Sequence, residues 1–200
     1  AAGMVAAALG LERGSLAASL GALCVTALAL ALRAKSRKSG ILGAAGVLYG
    51  ACVALPIIVL RAEPRHGLAL TLLLYALVWV TDIGAYVVGR SLGGPKLWRR
   101  VSPNKTWSGF LGGTALGVGA ALIVNLLLSA VEMPGRKLFA IALIASLAVH
   151  AGDLLESALK RSYSIKDSSQ LIPGHGGFMD RLDGFALATL VVALAVPLMR

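Results

Sequence analysis

Charge is scarce in this sequence. Only 14% of its 200 residues are Asp, Glu, Lys or Arg, against about 25% in an ordinary soluble domain. That shortage excludes a water-soluble globule. Acidic side chains are rarest, nine against 19 Lys and Arg, and the formal charge is +10. The basic residues fall in connectors between apolar runs, the positions of topology signals and of contacts with anionic headgroups or phosphates, so the excess does not mark a nucleic-acid binder. Cysteine is nearly absent. Cys24 and Cys52 lie inside apolar runs without metal-ligand spacing and imply neither a disulfide nor a zinc site. No Walker A pattern and no GxGxxG after a strand occurs. No basic n-region precedes the opening "AAGMVAAALGL", so it does not read as a signal peptide; a start in mid-hydrophobic sequence is expected of a truncated N-terminus.

Apolar residues are what the chain has in excess: 58% of the total, with 24 glycines and a mean hydropathy of +0.82. A membrane-crossing helix needs about 20 apolar residues. The runs predict an all-α, polytopic membrane bundle of about six helices, near 15–32, 41–60, 68–88, 109–130, 138–158 and 184–199. Residues 1–67 are expected to form N-terminal membrane helices and 68–200 a second membrane domain, the one that the polar patches below and the family resemblance make catalytic. Basic residues cluster after the first, third and fifth helices, which puts those connectors in the cytoplasm. Gly109, Gly113 and Gly117 are spaced for close helix packing, and Gly46 and Gly50 repeat the spacing.

Within such a chain, an intramembrane carboxylate costs about 2.5–3.5 kcal/mol on insertion scales and is a functional candidate by default. At about 100° per residue, Ser146, His150, Asp153, Glu156, Ser157 and Lys160 share one face of the fifth expected helix. A plain Glu156–Lys160 ion pair at i, i+4 accounts for two of them and leaves Asp153 and His150 unexplained. "MDRLDG" places Asp180 and Asp183 three apart before the sixth helix, where an aspartate can simply cap. Together with Asp153 they read as oxygen donors for a hard cation, and Mg²⁺ is commonly held by one or two carboxylates plus substrate phosphates. Arg181 suits a phosphate. In "PGHGG", Gly174, Gly176 and Gly177 permit an anion-binding nest around His175, with Lys166 nearby. A second polar patch starts at intramembrane Asp82, with Tyr86 one turn on, and runs to "SPNKT", whose Ser102, Asn104, Lys105 and Thr106 form a donor cluster. For Lys96, Arg99 and Arg100 the plain reading is topology and headgroup contact. Both patches lie on one aqueous side of this topology, so a site could form where they meet.

The stretch "SALKRSYSIKDSSQLIPGHGGFMDRLDG", residues 157–184, resembles the signature of phosphatidate cytidylyltransferases, through Ser157, Lys160, Arg161, Lys166, Asp167, Pro173, Gly174, His175, Gly176, Gly177, Asp180, Arg181 and Asp183. The likeness continues in "GDLLES", "SPNKTW" and "DIGAYVVGR" and covers roughly residues 75–190. Two positions depart: Ser108 stands where the family usually has an acidic residue, and Gly184 where serine is common. The resemblance implies transfer of CMP from CTP to phosphatidic acid, with Asp153 and Asp180 binding two catalytic metals, Mg²⁺ and a monovalent cation such as K⁺. On that expectation Lys160, Arg161, Lys166 and Arg181 neutralise phosphates, and His175 with the glycine loop orients the triphosphate. Asp167 and Asp183 hold those cations, while Asp82, Ser102, Asn104, Lys105, Thr106 and Glu156 complete the substrate pocket. The expected partners are the two substrates and the bilayer, not nucleic acid, with a homodimer left open. The expected location is a bacterial-type inner membrane with the site facing the cytoplasm. Two rival readings are a CTP-dependent polyprenol or lipid kinase and an ion-coupled transporter using Asp82 and Asp153.

Overall fold

The computed structural model describes residues 25–26, 28–29, 32–33, 37–63, 65–129, 131–162 and 182–196. The chain divides into two compact units, Ala1–Arg65 and His66–Arg200. The first contains helix α1, Arg37–Arg61, with Pro56 inside it and a small apolar cluster of Val47, Ala51 and Leu55. The expected helix at 15–32 lies almost wholly outside the described residues. Gly46, expected at a close helix contact, has nothing within 4 Å of where a Cβ would stand.

The second unit carries the site. It comprises α2 (Gly67–Leu92), β1 (Lys96–Trp98), β2 (Ser102–Thr106), α3 (Trp107–Leu128), α4 (Gly135–Ser162) and α5 (Asp183–Ala195). Three of these, α2, α3 and α4, are long and apolar enough to cross a membrane. At 1.5 Å per residue they run about 39, 33 and 42 Å against a hydrocarbon core of about 30 Å. α2 and α4 are longer than their expected ranges, and α3 has the expected length but begins two residues earlier. Among the described residues three helices meet the length of a span; α5 has 13 described residues, and the expected spans at 15–32 and 184–199 run into residues outside the described ones.

Leu70, Leu73, Leu74, Leu77 and Val78 of α2, Ala142, Ala145 and Val149 of α4, and Ala188 and Val192 of α5 are buried. Ile83, Leu116, Ile123, Leu126, Leu127, Leu155 and Leu194 are exposed, as a lipid-facing surface requires. Between helices there is then no hydrophobic driving force, and packing depends on close approach and polar contacts. Both are present. Thr81 of α2 and Ser146 of α4 share a hydrogen bond of 3.0 Å in the buried interior. Along α2 and α3 the backbones touch: a Cβ on Gly109 would stand 2.5 Å from the Ala85 carbonyl oxygen, and one on Gly113 2.6 Å from that of Thr81. The spacing of Gly109, Gly113 and Gly117 is thus a packing seam, answered on α2 by Gly84 and Gly89.

The all-α expectation needs one correction. Residues 96–106 form a two-stranded antiparallel hairpin, with Lys96 opposite Thr106 and Trp98 opposite Ser102. Gly93 and Gly94, at φ 62° and 104°, and Pro95 stop α2 and turn the chain into β1. The ladder is too short for strand alternation to register in sequence. Thr106 ends β2 and caps α3, its Oγ1 accepting from Gly109 N at 3.1 Å.

The seam makes a sharp prediction. Gly113→Leu forces a side chain against carbonyl oxygen and should cost about 1–3 kcal/mol or more by overpacking, lowering the melting temperature in detergent. Gly119→Ala, where nothing lies within 4 Å, should leave it unchanged or raise it.

Candidate active site

The antiparallel run of α2 and α3 puts the hairpin, the C-terminal end of α4 and the start of α5 at one end of the second unit. A cavity of about 880 Å³ opens there. Asp82, Tyr86 and Arg90 enter it from successive turns of α2, Lys96 from β1, and Asn104, Lys105 and Thr106 from β2. Phe110 enters from α3, His150, Asp153 and Ser157 from α4, and Asp183 from α5. The two polar patches of the sequence therefore meet in one space.

The carboxylates converge for a backbone reason. A Cβ on Gly152 would collide with the Asp183 carbonyl oxygen, and one on Gly184 would lie 2.8 Å from Val149 Cγ1 and 3.2 Å from Asp153 Oδ1. These two glycines let the first turn of α5 rest directly on α4, so the Asp183 carboxyl comes within hydrogen-bonding reach of Asp153 and Glu156. Asp183 Oδ1 also accepts from Gly184 N at 2.8 Å. Opposite them, Lys105 Nζ donates to Asp153 Oδ2 at 2.5 Å, with both side chains largely buried. The serine common in the family at position 184 would need α4 and α5 to part slightly here.

At the second departure, Ser108 Oγ donates to the Gly93 carbonyl oxygen and lies 3.0 Å from Thr106 Oγ1. An acidic side chain, once ionised, has no proton to donate there. In this chain Ser108 ties the start of α3 to the turn after α2.

The remaining expected residues are placed unevenly. Ser102 sits at the far end of β2, about 13 Å along the strand from Thr106, and is not among the cavity-lining residues. Glu156 is buried, and Lys160 Nζ stands 3.4 Å from its Oε1 at i, i+4, the plain ion pair of the sequence reading. Neither lines the cavity, nor does Arg161, which is exposed at the end of α4. Lys166, Asp167, Gly174, His175, Gly176, Gly177, Asp180 and Arg181 lie outside the described residues.

Sequence reasoning missed Arg90, Lys96 and the Gly93–Gly94 turn, all on the cavity wall. The spacing of four through Asp82, Tyr86 and Arg90 marks one helix face and was the available signal. His150 is buried and stacked on Phe110 with ring centroids 4.7 Å apart. Its Nε2 has no hydrogen-bond partner among the described residues.

Among the described residues no three His, Cys, Asp or Glu side chains form a metal cage. Mg²⁺ does not require one, since it takes one or two carboxylates and completes its shell with water and substrate phosphate. Asp153, a carboxylate on the wall of open volume, fits that demand as one such donor, and its expected partner Asp180 lies outside the described residues.

The sequence profile of the cytidylyltransferase family matches residues 4–199. The chain belongs to the cytidylyltransferase family. It is 46% identical over 151 residues to the phosphatidate cytidylyltransferase of Brucella suis biovar 1 (strain 1330), a match covering 76% of this chain and 55% of that protein. The phosphatidate cytidylyltransferase of Bacillus subtilis (strain 168) is 42% identical over 146 residues, covering 73% and 54%. That of Haemophilus influenzae is 44% identical over 131 residues, covering 63% and 45%. The chain thus spans about half the length of the curated relatives it matches.

The Lys105–Asp153 contact is measurable on its own. A double-mutant cycle of Lys105→Met and Asp153→Asn, read by thermal unfolding in detergent, should give a coupling of about 1.5–3 kcal/mol, the range for hydrogen bonds to charged groups. Additive effects would separate the two side chains.

Proposed function

We propose that the chain carries out cytidylyl transfer, moving CMP from CTP to phosphatidic acid and giving CDP-diacylglycerol and pyrophosphate. One observation carries the reading: three carboxylates and an ammonium from α2, β2, α4 and α5 converge on one cavity in a chain of the cytidylyltransferase family. The names of the relatives supply the substrates. Phosphoryl-type transfer depends on positioning and charge neutralisation more than on a strong base. The second pKa of a phosphomonoester lies near 6 (about that value in general), so the lipid phosphate is already a nucleophile at neutral pH. Its oxygen forms a bond to the α-phosphorus of CTP as the bond from that phosphorus to the bridging oxygen breaks, and pyrophosphate leaves.

In this reading Asp153 and Asp180 would hold Mg²⁺, with K⁺ as the second ion of a two-metal site, and the metal would supply charge neutralisation for the triphosphate and the leaving pyrophosphate. Asp82 and Asp183 frame the same end of the cavity, and Lys105 stands beside Asp153 to meet a phosphate oxygen. Basic residues are dense at this end of the unit, with Arg90, Lys96, Arg99, Arg100, Lys105, Lys160 and Arg161, which favours a cytoplasmic face in a bacterial-type inner membrane. A homodimer is compatible with this reading.

Purified protein in detergent with CTP, phosphatidate and Mg²⁺ should release pyrophosphate and transfer α-phosphate label to lipid. Transfer of γ-label instead would make it a lipid kinase. Asp153→Asn and Asp180→Asn should each remove most turnover, on the order of a hundredfold or more, with unchanged circular dichroism. Substantial activity in either would sink the metal assignment.

A further inference from the structure

The cavity is polar in the electrical sense. Its wall carries the carboxylates Asp82, Asp153 and Asp183, with Lys105 bound to Asp153, and two further cations, Arg90 near the end of α2 and Lys96 on β1. Lys105 pairs with Asp153 and Lys160 with Glu156, but among the described residues neither Arg90 nor Lys96 has an acidic partner. Two cations that face an open cavity and have no ion-pair partner among the described residues call for an anion from outside. A phosphomonoester carries about −1.5 to −2 at neutral pH, a match for two positive side chains.

We propose that Arg90 and Lys96 hold the phosphomonoester head of the lipid substrate, in a subsite distinct from the Lys105–Asp153 pair. This rests on the cytidylyltransferase reading above and adds to it where the lipid sits. Three observations favour lipid over nucleotide. First, Arg90 lies in the last turn of the membrane-crossing α2, the depth at which headgroup phosphates sit. Exposed Leu92, Trp98 and Trp107 surround that level, and tryptophan is enriched at membrane–water interfaces.

Second, the guanidinium is already oriented. Arg90 Nη1 donates to the Tyr86 hydroxyl at 2.9 Å, and the guanidinium carbon lies 5.9 Å from the Tyr86 ring centre. The side chain therefore reaches back one turn toward Asp82, as helical side chains incline toward the N-terminus. A phosphate held there abuts the carboxylates rather than standing a full two turns, about 12 Å, away. Fixing the fork in advance reduces the ordering cost of binding. Third, the wall between the two cations is the Gly93–Gly94 turn, where nothing lies within 4 Å of either Cβ position. A bulky headgroup can approach the backbone there.

The test uses the full chain in mixed micelles. Arg90→Gln and Lys96→Gln should each raise the KM for phosphatidate about ten- to hundredfold, the loss of a charged hydrogen bond, leaving kcat and the KM for CTP near wild type. Arg90→Lys should recover part of the loss. A KM for phosphatidate within twofold of wild type, or a rise in the KM for CTP, overturns the assignment. Intrinsic tryptophan fluorescence provides a readout independent of turnover. Titration with phosphatidate micelles should give saturable binding that phosphatidylcholine micelles do not, weakened by about the same factor in both glutamine variants. Equal binding by variants and wild type also overturns it. If the wild type binds phosphatidate through these residues yet transfers no label from CTP, the cytidylyltransferase reading fails and the lipid subsite stands.

Discussion

Backbone-to-backbone contact at glycine is the constraint on which the rest depends. In the bilayer, Leu against Leu gains nothing over Leu against lipid, so helices must be held by close approach and a few polar bonds. Gly109 and Gly113 bring α3 onto α2, and Gly152 and Gly184 bring α5 onto α4. The second contact falls one residue before Asp153 and one after Asp183. The residues that allow the helices to touch are therefore adjacent to the residues that make the site. A side chain at either glycine would move carboxylates as well as helices.

The same geometry explains how so many charges are tolerated. Three of the chain's nine acidic residues share one cavity. Carboxylates crowded in a partly desolvated space repel one another and need cations nearby. Lys105 supplies one ammonium from outside the helices, on a strand. The hairpin is thus more than a connector, since it delivers the ammonium that bonds Asp153. Its anchorage at both ends, through the turn at Gly93 and the Thr106 cap on α3, fixes where that cation stands.

Much of this was legible in the sequence. Apolar runs announced α2, α3 and α4, because twenty-residue hydrophobicity is a long-range signal that single residues cannot disguise. The glycine spacing announced the α2–α3 seam. The polar arc on α4 announced His150 and Asp153, since helical period places them on one side. What escaped was local and weak. The hairpin has strands of three and five residues, too short for alternation, and hid as a loop. Arg90 was obscured by its position, because a basic residue at a span's end is ordinary as a topology signal. Ser102 shares its segment with Lys105 and yet lies apart, since a strand spreads in space what a sequence motif gathers. The family resemblance supplied substrates, which spacing alone cannot.

The cavity's polarity narrows what can occupy it. A bare polyanion is repelled by Asp82, Asp153 and Asp183, and a bare divalent cation gains nothing from Arg90 and Lys96. A metal-bearing triphosphate resolves the first conflict, because the ion turns the carboxylates from repulsive to attractive. A monoanionic or dianionic headgroup resolves the second without any metal. On the proposed function, two anions of different kinds, one requiring a cation and one not, would meet side by side in this cavity. Arg90, bonded to the Tyr86 hydroxyl one turn of α2 beyond Asp82, would hold the lipid phosphate on the same cavity wall as the carboxylates.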